Sequence, residues 1–250
     1  MNERTVIITG GSSGIGASIS EAFYAKGYRV VIAGRSDNGL AQTLGEFARF
    51  VAADVRVTQA LQDLVAKALD WTGQLDVLVN NAGVSAWRPL ANIDEAFWQE
   101  MIDTNLKGVL FASQAAASVM KPGSSIINIS SLAGKRGSAN NSVYCAAKFG
   151  VNGITQALAK ELGAAGIRVN AVCPVYITTP GLEAALSQPT SPAAGLGIAS
   201  YLSNFAATQT ALGVLPTAAQ IAATCVFLTS PAANAITGQC INVDCGVLPQ

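Results

Sequence analysis

A glycine-rich turn lies near the start of the chain, between an apolar run and the first segment with helical periodicity. The apolar run, RTVIIT at residues 4–9, is rich in β-branched residues and predicts a buried strand. The turn at residues 9–16 reads TGGSSGIG, and a helix is predicted over about 14–26, with Gly27 closing it. A strand, a glycine turn and a helix in this order form the part of a doubly wound sheet that binds a dinucleotide.

Each glycine of this turn has its own predicted use. Gly10 allows the tight turn, Gly14 lets the backbone approach a pyrophosphate, and Gly16 lets the helix pack closely on the strand. The amino end of the helix adds free N–H groups and a partial positive charge. The spacing is TGxxxGxG rather than GxGxxG, and an ordinary strand-to-helix turn is the alternative. The flanking strand and helix favour a nucleotide site.

Apolar runs and helical segments alternate along the rest of the chain. Further strands are predicted within residues 28–34, 49–54, 75–83, 124–131, 167–172 and 238–244. Further helices are predicted over about 58–71, 94–119, 141–165 and 217–230. This order predicts an α/β fold, a single-domain Rossmann-type doubly wound parallel sheet of about seven strands with helices on both faces, over residues 1–250. Residues 176–215 show little regular pattern.

The composition excludes several classes of protein. Fifteen basic residues balance fifteen acidic ones, so neither a nucleic acid nor an anionic membrane surface is an expected partner. Residues 211–228 are apolar, but Pro216, Thr217, Gln220 and Thr224 interrupt them, so no membrane span is predicted. The chain turns directly into a strand, so no signal peptide is expected, and five cysteines without CxxC spacing favour reduced thiols in a cytoplasm.

Histidine is absent, which excludes a Ser-His-Asp triad and any zinc site with a histidine ligand; no metal site is predicted. Tyr144 and Lys148 lie four residues apart, so a helix would carry both on one face. A free tyrosine has a pKa of ~10, and a neighbouring ammonium lowers that pKa because it favours the phenolate. Lowering the pKa to near 7 requires ~3 units, or ~4 kcal/mol of differential interaction. By itself the pair fits equally well an ordinary buried tyrosine beside a snorkelling lysine.

Several motifs in a fixed order decide between these interpretations. They are TGGSSGIG at 9–16, NNAG at 80–83, INISS at 127–131, YCAAK at 144–148 and TGQCINVD at 237–244. With these motifs the whole chain resembles the short-chain dehydrogenase/reductase family. The resemblance implies an NAD(P)-dependent oxidoreductase that transfers a hydride between nicotinamide and a ketone or secondary alcohol.

The resemblance also implies catalytic roles. Tyr144 looks like the general acid/base, and Ser131 like the serine that hydrogen-bonds the substrate carbonyl oxygen. Strand alternation points Ser130 to the other face. Asn105 resembles the asparagine that holds a water in a proton relay with Lys148; a polar residue that stabilises a local helix bend is the alternative.

The expected cofactor contacts follow from the glycine turn and the resemblance together. They are Gly10, Ser12, Ser13, Gly14, Ile15, Gly16, Gly34, Arg35, Asp54, Val55, Asn81, Ala82, Gly83, Tyr144, Lys148, Pro174, Ile177 and Thr178. Gly34 occupies the strand end where an acidic residue usually binds the ribose of NAD, and Arg35 follows it, which favours NADP(H). NAD(H) stays possible, because Ser13 is not basic and Asp37 lies near enough to reach a ribose hydroxyl.

By analogy with the family, residues of about 176–215 form a lid over the substrate. The segment 179–213 has no lysine or arginine, which disfavours acyl-carrier and CoA substrates and favours a small neutral ketone or secondary alcohol. Arg88, Lys135 and Arg136 lie in other loops near the mouth, so an anionic hydroxy or keto substrate is an alternative. Two positions depart from the family pattern: Val175 and Cys245 replace common glycines.

Two further functions are weighed. A non-catalytic NADP(H)-sensing regulatory protein is disfavoured because all four catalytic residue types are present. An epimerase or dehydratase is disfavoured because the chain lacks the length of a larger C-terminal substrate domain. A homodimer or homotetramer is expected, with the predicted helices at 94–119 and 141–165 as interface elements.

Overall fold

The computed structural model describes residues 4–249. Its centre is one sheet of seven parallel strands in the order β3-β2-β1-β4-β5-β6-β7. The strands are β1 (Thr5–Thr9), β2 (Arg29–Gly34), β3 (Ala48–Ala52), β4 (Val77–Asn80), β5 (Ser125–Ile129), β6 (Arg168–Pro174) and β7 (Cys240–Val243). The predicted doubly wound parallel sheet is thus confirmed.

Nine α-helices connect and cover the strands within the described residues. They are α1 (Gly14–Ala25), α2 (Leu40–Leu44), α3 (Thr58–Thr72), α4 (Glu95–Ile102), α5 (Gly108–Ala117), α6 (Ser142–Gly163), α7 (Pro180–Leu186), α8 (Ile198–Gln209) and α9 (Ala218–Thr229). None of them is both long enough and apolar enough to cross a membrane.

The sheet separates two apolar cores because neighbouring residues of a strand point to opposite faces. On β1, Ile8 belongs to the cluster under α1 and α9, and Ile7 belongs to the cluster under α3 and α5. Both side chains are fully buried. A strand covered by helices on both faces does not alternate between apolar and polar residues. This explains the continuous apolar run in β1.

The segment between β6 and β7 differs from its prediction. The sequence predicts little regular structure over 176–215, but α7 and α8 lie there. Thr179 caps α7 by accepting a hydrogen bond from the Leu182 N–H, and Pro180 occupies the first turn. These are ordinary helix-start signals. The periodicity of apolar residues does not reveal these two helices, because the helices are short and much of their surface packs within the segment itself.

The predicted helix at 94–119 is interrupted. A π-helical turn, Asp103–Lys107, joins α4 to α5. The Asn105 side chain spans it, because Nδ2 donates to the Met101 carbonyl at 2.9 Å and Oδ1 accepts from the Val84 N–H at 3.1 Å. Single π-turns inside helices occur frequently at functional sites.

Strand order reverses between β1, which extends the sheet towards β2, and β4, which extends it towards β5. The crevice outside the carboxyl ends of the strands at such a switch point is the usual ligand site of open α/β sheets. The glycine turn follows β1, and residues 81–83 follow β4, so both predicted cofactor motifs lie at this crevice.

Candidate active site

A cavity of about 740 Å³ opens at the carboxyl ends of the strands. Its walls include all four predicted catalytic residues and every predicted cofactor contact except Thr178. It runs from the glycine turn and the end of β2, past Tyr144 and Lys148, to the lid. Residues from distant parts of the chain therefore border one continuous space.

Close backbone packing fixes the glycine turn. Gly10 has φ +62°, and a Cβ on Gly16 would overlap the Gly10 carbonyl oxygen. Asn81 holds the turn from β4, since its Nδ2 donates to the carbonyls of Thr9 and Gly10 at 3.0 Å each. The sequence pattern places Asn81 beside the cofactor but does not reveal that it anchors the turn.

The amino end of α1 suits an anion. Its N-cap residue, Ser13, makes no side-chain capping hydrogen bond, and no acidic residue lies in the first turn. The first N–H groups of α1 thus have no side-chain acceptor among residues 4–249, and they border the cavity. Free N–H groups with the helix dipole fit a pyrophosphate, so the residues present suit a dinucleotide.

At the end of β2 the cavity wall is cationic. Arg35 is exposed and makes no ion pair within the described part of the chain, whereas Arg56 pairs with Asp54 at 2.6 Å. The hydrogen bond from Arg56 lowers the pKa of Asp54, and the charge of Arg35 adds to this. Asp37 lies outside the cavity wall and accepts a hydrogen bond from the Gly39 N–H at 2.9 Å.

Ser131 and Tyr144 meet at the middle of the cavity. Ser131 follows β5 and accepts a hydrogen bond from the Ala133 N–H at 3.0 Å, and its hydroxyl lies near enough to that of Tyr144 to lower the pKa of Tyr144. Its neighbour Ser130 is buried and donates to the Lys148 carbonyl at 3.3 Å. The two serines therefore have separate uses, as expected from residues that alternate at a strand end.

The pKa of Tyr144 contradicts the expected lowering. Burial raises the pKa of Tyr144 to about 12, and the hydrogen bond with Ser131 offsets only part of that effect. Lys148 Nζ lies 5.6 Å from the centre of the Tyr144 ring and gives its hydrogen bond to the Ile129 carbonyl. The helical spacing predicts proximity, but it does not include the cost of placing a phenolate in an apolar wall. The polypeptide alone keeps Tyr144 as a neutral phenol.

Lys148 is deeply buried for a lysine. It is 4% exposed, and its Nζ donates to the Ile129 carbonyl at 2.9 Å. Burial lowers the pKa of Lys148 from 10.5 to about 8, because an ammonium loses its hydration there. The amine therefore exchanges its proton close to neutral pH, which a lysine at the surface does not.

Asn105 does not hydrogen-bond Lys148 with its side chain. Both ends of that side chain bond backbone groups, as described for the π-turn. A Cβ on Gly83 would lie 2.9 Å from Asn105 Oδ1 and 3.9 Å from Lys148 Nζ, so Gly83 lies beside both groups. This geometry fits the interpretation of Asn105 as a residue that stabilises a local bend; the predicted water relay stays a prediction.

Thr178 is the one predicted cofactor contact that does not border the cavity. It is exposed, whereas Thr179 borders the cavity. A Cβ on Gly14 would lie 3.3 Å from Thr179 Cγ2, so Thr179 reaches the glycine turn. Two adjacent threonines before α7 look alike in sequence, and only the capping geometry of that helix separates them.

The two replaced glycines behave differently. Val175 borders the cavity with an ordinary negative φ, so that position needs no glycine for its backbone. Cys245 has φ +55°, a conformation that costs a residue with a Cβ ~1 kcal/mol or more. The departure at Val175 therefore narrows the cavity, and the departure at Cys245 strains the chain outside it.

The sequence does not predict a buried network of polar side chains that the structure shows. Asn80 Nδ2 donates to Asn128 Oδ1 at 2.9 Å and to Ser113 Oγ at 3.0 Å, and Asn128 Nδ2 donates to Thr155 Oγ1 at 2.9 Å. All four residues are at most 3% exposed. The network ties β4 and β5 to α5 and α6, and so fixes α6, which carries Tyr144 and Lys148. The asparagines in NNAG and INIS are the available signal.

Comparisons with known proteins agree with this geometry. A family model described as enoyl-(acyl carrier protein) reductase matches residues 10–248. The 3-oxoacyl-[acyl-carrier-protein] reductase FabG of Chlamydia muridarum is 34% identical, covering 98% of this chain and 97% of that protein. The chain belongs to the short-chain dehydrogenase/reductase family. It is therefore a relative of oxidoreductases that use NAD(P)(H).

Solved structures extend the likeness to the whole fold. A short-chain dehydrogenase/reductase of Brucella melitensis, described as a glucose/ribitol dehydrogenase, superposes with a TM-score of 0.89 at 33% identity, covering 99% of this chain and 98% of that one. An actinorhodin polyketide ketoreductase with NADPH superposes with a TM-score of 0.88 at 30% identity, covering 98% of this chain and 97% of that one. Within the short-chain dehydrogenase/reductase family, relatives thus act on different substrates with one architecture.

Proposed function

We propose that this protein is an NAD(P)(H)-dependent carbonyl reductase or alcohol dehydrogenase that acts on a small ketone or secondary alcohol. The observation that carries the proposal is the meeting of Ser131 and Tyr144 hydroxyls in a cavity that also holds the glycine turn and buried Lys148. A substrate carbonyl and a nicotinamide ring can then share one wall. Single-domain organisation over residues 1–250 is part of the same proposal.

In the proposed mechanism a bound nicotinamide nucleotide supplies or accepts the hydride. Ser131 and Tyr144 donate hydrogen bonds to the carbonyl oxygen and so fix its position. Tyr144 gives its proton to that oxygen in reduction and takes one in the reverse direction. With its pKa raised to about 12, Tyr144 stays protonated at neutral pH and suits the reductive direction. Lys148, with a pKa of about 8, replaces that proton. Asn105 holds the π-turn that supports the Lys148 side of the cavity.

Replacement of Tyr144 tests this mechanism. Tyr144→Phe should reduce turnover of a reactive ketone by about 10²–10⁴ while the Kd of the nucleotide changes little, because only the proton donor is lost. Tyr176→Phe is a matched control, since Tyr176 lines the same cavity without contacting Ser131. Unchanged turnover in Tyr144→Phe would refute the mechanism, and nucleotide binding without turnover in the native chain would favour the sensing regulator instead.

NADP(H) is the proposed cofactor. Arg35, which follows Gly34 and has no ion pair with any residue of 4–249, supports this choice, as does the NADPH named with the ketoreductase neighbour. Arg35→Gln should weaken NADPH about tenfold and leave NADH nearly unchanged, because only NADPH carries the 2′-phosphate. Fluorescence titration of both nucleotides measures this. Tighter binding of NADH to the native chain would reverse the assignment.

A carrier-bound 3-oxoacyl substrate is the second candidate. The family model and the Chlamydia muridarum relative both bear names of acyl-carrier-protein reductases. The lid weighs against this candidate, because residues 179–213 contain no lysine or arginine to attract an acidic carrier. Free ketones and carrier-bound thioesters assayed with each nucleotide separate the two: a kcat/KM higher for the carrier-bound form would favour the second.

Self-association is proposed as well. Leu110 on α5, Phe149 on α6 and Phe227 on α9 are 39%, 48% and 44% exposed, and α5 and α6 lie within the helices expected as interface elements. A homodimer or homotetramer would cover them. Light scattering after size exclusion gives the mass directly, and a monomer at micromolar concentration would refute this proposal.

A further inference from the structure

The charges around the cavity divide into two ends. Six charged side chains of the described residues border it: Arg35, Asp54, Arg56, Glu100, Arg136 and Lys148. Asp54 pairs with Arg56, Glu100 acts on Arg56 through its charge, and Arg35 acts on Asp54, so these four lie together near the end of β2. Lys148 lies in the middle. Only Arg136 belongs to the end that the lid covers.

Arg136 borders that end of the cavity, and its side chain is exposed. Tyr176 lines the same cavity, and its hydroxyl lies 3.0 Å from that of Tyr201. Burial raises the pKa of Tyr176 above its ordinary value, the hydrogen bond with Tyr201 raises it further, and the positive charge of Arg136 opposes both. The charge of Arg136 therefore acts on a group of the cavity wall.

Arg136 has no ion pair among residues 4–249, and the other cations of the mouth are engaged. Arg88 pairs with Asp94 at 3.3 Å and lies 4.0 Å from the centre of the Phe97 ring. Lys135 Nζ donates to the Cys240 carbonyl at 2.6 Å. The single charge of the segment 179–213, Glu183, does not border the cavity. The lid end therefore carries one positive charge without a counter-charge within the described residues.

The backbone of Arg136 is held close to Ser131 along the chain. The turn Leu132–Gly134 joins Ser131 to this residue, and the Arg136 N–H donates to the Leu132 carbonyl at 3.0 Å. A cation and a carbonyl-binding hydroxyl thus extend from one short, hydrogen-bonded segment. The remaining lid wall is mainly apolar, with Trp87, Leu182 and Phe205.

We propose that the substrate is a keto acid, or the corresponding hydroxy acid, whose carboxylate binds Arg136 while Ser131 and Tyr144 bind the carbonyl. The inference rests on the proposed oxidoreductase function and names its substrate class. It replaces the neutral substrate that the sequence favours, because Arg136 is the one of the three mouth cations that both borders the cavity and has no ion pair among the described residues. Arginine binds a carboxylate through two parallel hydrogen bonds, which also sets the distance to the carbonyl.

Kinetics with matched compounds test the inference. The probes are 3-oxo acids from butanoate to octanoate, their methyl esters, and their N-acetylcysteamine thioesters, each with NADPH and NADH. The acids should have a kcat/KM at least about tenfold above their esters, because only a carboxylate pairs with Arg136. An ester or thioester that matches or exceeds its acid would overturn the inference; a preferred thioester would favour the carrier-bound candidate.

Variants then assign the preference to this residue. Arg136→Gln should raise KM for the acids about tenfold, leave kcat within about twofold, and leave the esters unchanged. Arg136→Lys should raise KM for the acids less than Arg136→Gln does, since lysine keeps the positive charge but cannot form the second hydrogen bond to the carboxylate. Arg88→Gln is the matched control and should keep the native preference. An acid preference that survives Arg136→Gln would overturn the inference.

The two levels of the proposal fail differently. If the native chain reduces acids and neutral ketones equally well, the oxidoreductase function stands and the carboxylate site is refuted. If it reduces none of the compounds although it binds the nucleotide, the oxidoreductase function is refuted together with the carboxylate site.

Discussion

The floor and the lid of the cavity are built on different principles. The floor is formed by the loops after β1, β4 and β5 and by α6; the lid is formed by α7 and α8. At several glycines of the floor there is no room for a side chain: a Cβ on Gly16 would overlap the Gly10 carbonyl oxygen, and a Cβ on Gly134 would lie 2.6 Å from backbone. At the lid glycines Gly181, Gly195 and Gly197, a Cβ would meet nothing within 4 Å.

Side-chain packing also differs between the floor and the lid. The floor shares the continuous core of the sheet, in which residues such as Ile8 and Val79 are fully buried. The lid packs in a small separate apolar cluster, in which Leu186 and Leu202 contact Trp87 from the loop after β4. Backbone contacts at the floor fix the positions of the reacting hydroxyls closely, whereas the lid can change its side chains and keep its shape. In the proposed function, the floor would hold the reacting hydroxyls and the lid end would contact the rest of the substrate.

Removal of the buried amine should give the largest effect. Lys148→Met should reduce turnover by about 10²–10³, because Tyr144 then loses its proton supply. The same change should raise the free energy of unfolding at pH 7 by about 1–3 kcal/mol. At pH 7 the amine is protonated both in the folded chain, with a pKa of about 8, and in the unfolded chain, at 10.5, so its burial cost is fully present. Chemical denaturation measures the gain.

The pH dependence sharpens that test. Above pH 8 the folded chain releases the Lys148 proton, so reductive turnover should fall by up to about tenfold per pH unit. The stability gain of Lys148→Met should shrink over the same range and vanish above 10.5, where both states are neutral. A lower stability of the variant at pH 7 would show that the hydrogen bond to Ile129 outweighs desolvation.

Glycine substitutions compare the two regions directly. Gly16→Ala should cost more than about 3 kcal/mol or prevent folding, because the new Cβ meets the Gly10 carbonyl, and surviving protein should lose nucleotide binding. Gly181→Ala in α7 should be neutral or stabilise by up to about 1 kcal/mol, since the space is open and alanine favours a helix. Thermal unfolding with and without NADPH measures both. Equal effects would remove the contrast between floor and lid.

Core truncations measure how far the lid is an independent unit. Leu64→Ala, in the core under α3, should destabilise the whole chain by about 2–5 kcal/mol. Leu202→Ala should mainly raise hydrogen exchange in α7 and α8, because its cluster is separate from the two cores of the sheet. Mass spectrometry of exchanged peptides resolves the two patterns. Exchange that rises throughout the sheet in Leu202→Ala would show that lid and floor unfold together.

The strained connection to the lid should give the smallest effect. Cys245 has φ +55°, and its carbonyl accepts a hydrogen bond from the Leu212 N–H, just after α8. Cys245→Gly should raise the midpoint of thermal unfolding by a few degrees at most, because relief of about 1 kcal/mol of strain is offset partly by the greater freedom of glycine when unfolded. A lower midpoint would show that the cysteine side chain contributes more packing than the strain costs.

Features that depend on local backbone geometry could be predicted from short stretches of sequence. The turn at 9–16, the alternation of strands and helices, and the spacing of Tyr144 and Lys148 are each legible within a few residues. Motif spacing cannot tell which of two adjacent residues of the same type borders the cavity, as with Thr178 and Thr179. The direction of each side chain depends on the residue at which α7 begins. It also fails for α4 and α5, since the π-turn needs Val84 from another element to satisfy Asn105.

The sequence by itself determined the doubly wound sheet and the glycine turn after β1, because periodicity and glycine spacing follow from local backbone sterics; the grouping of Ser131 with Tyr144 and Lys148 came from the resemblance to the family. Only the tertiary structure decided the pKa values of Tyr144 and Lys148, the lack of a side-chain acceptor at the amino end of α1 among residues 4–249, and which of Arg88, Lys135 and Arg136 borders the cavity. Burial and ion pairing depend on residues far apart in the chain, and no local pattern records them.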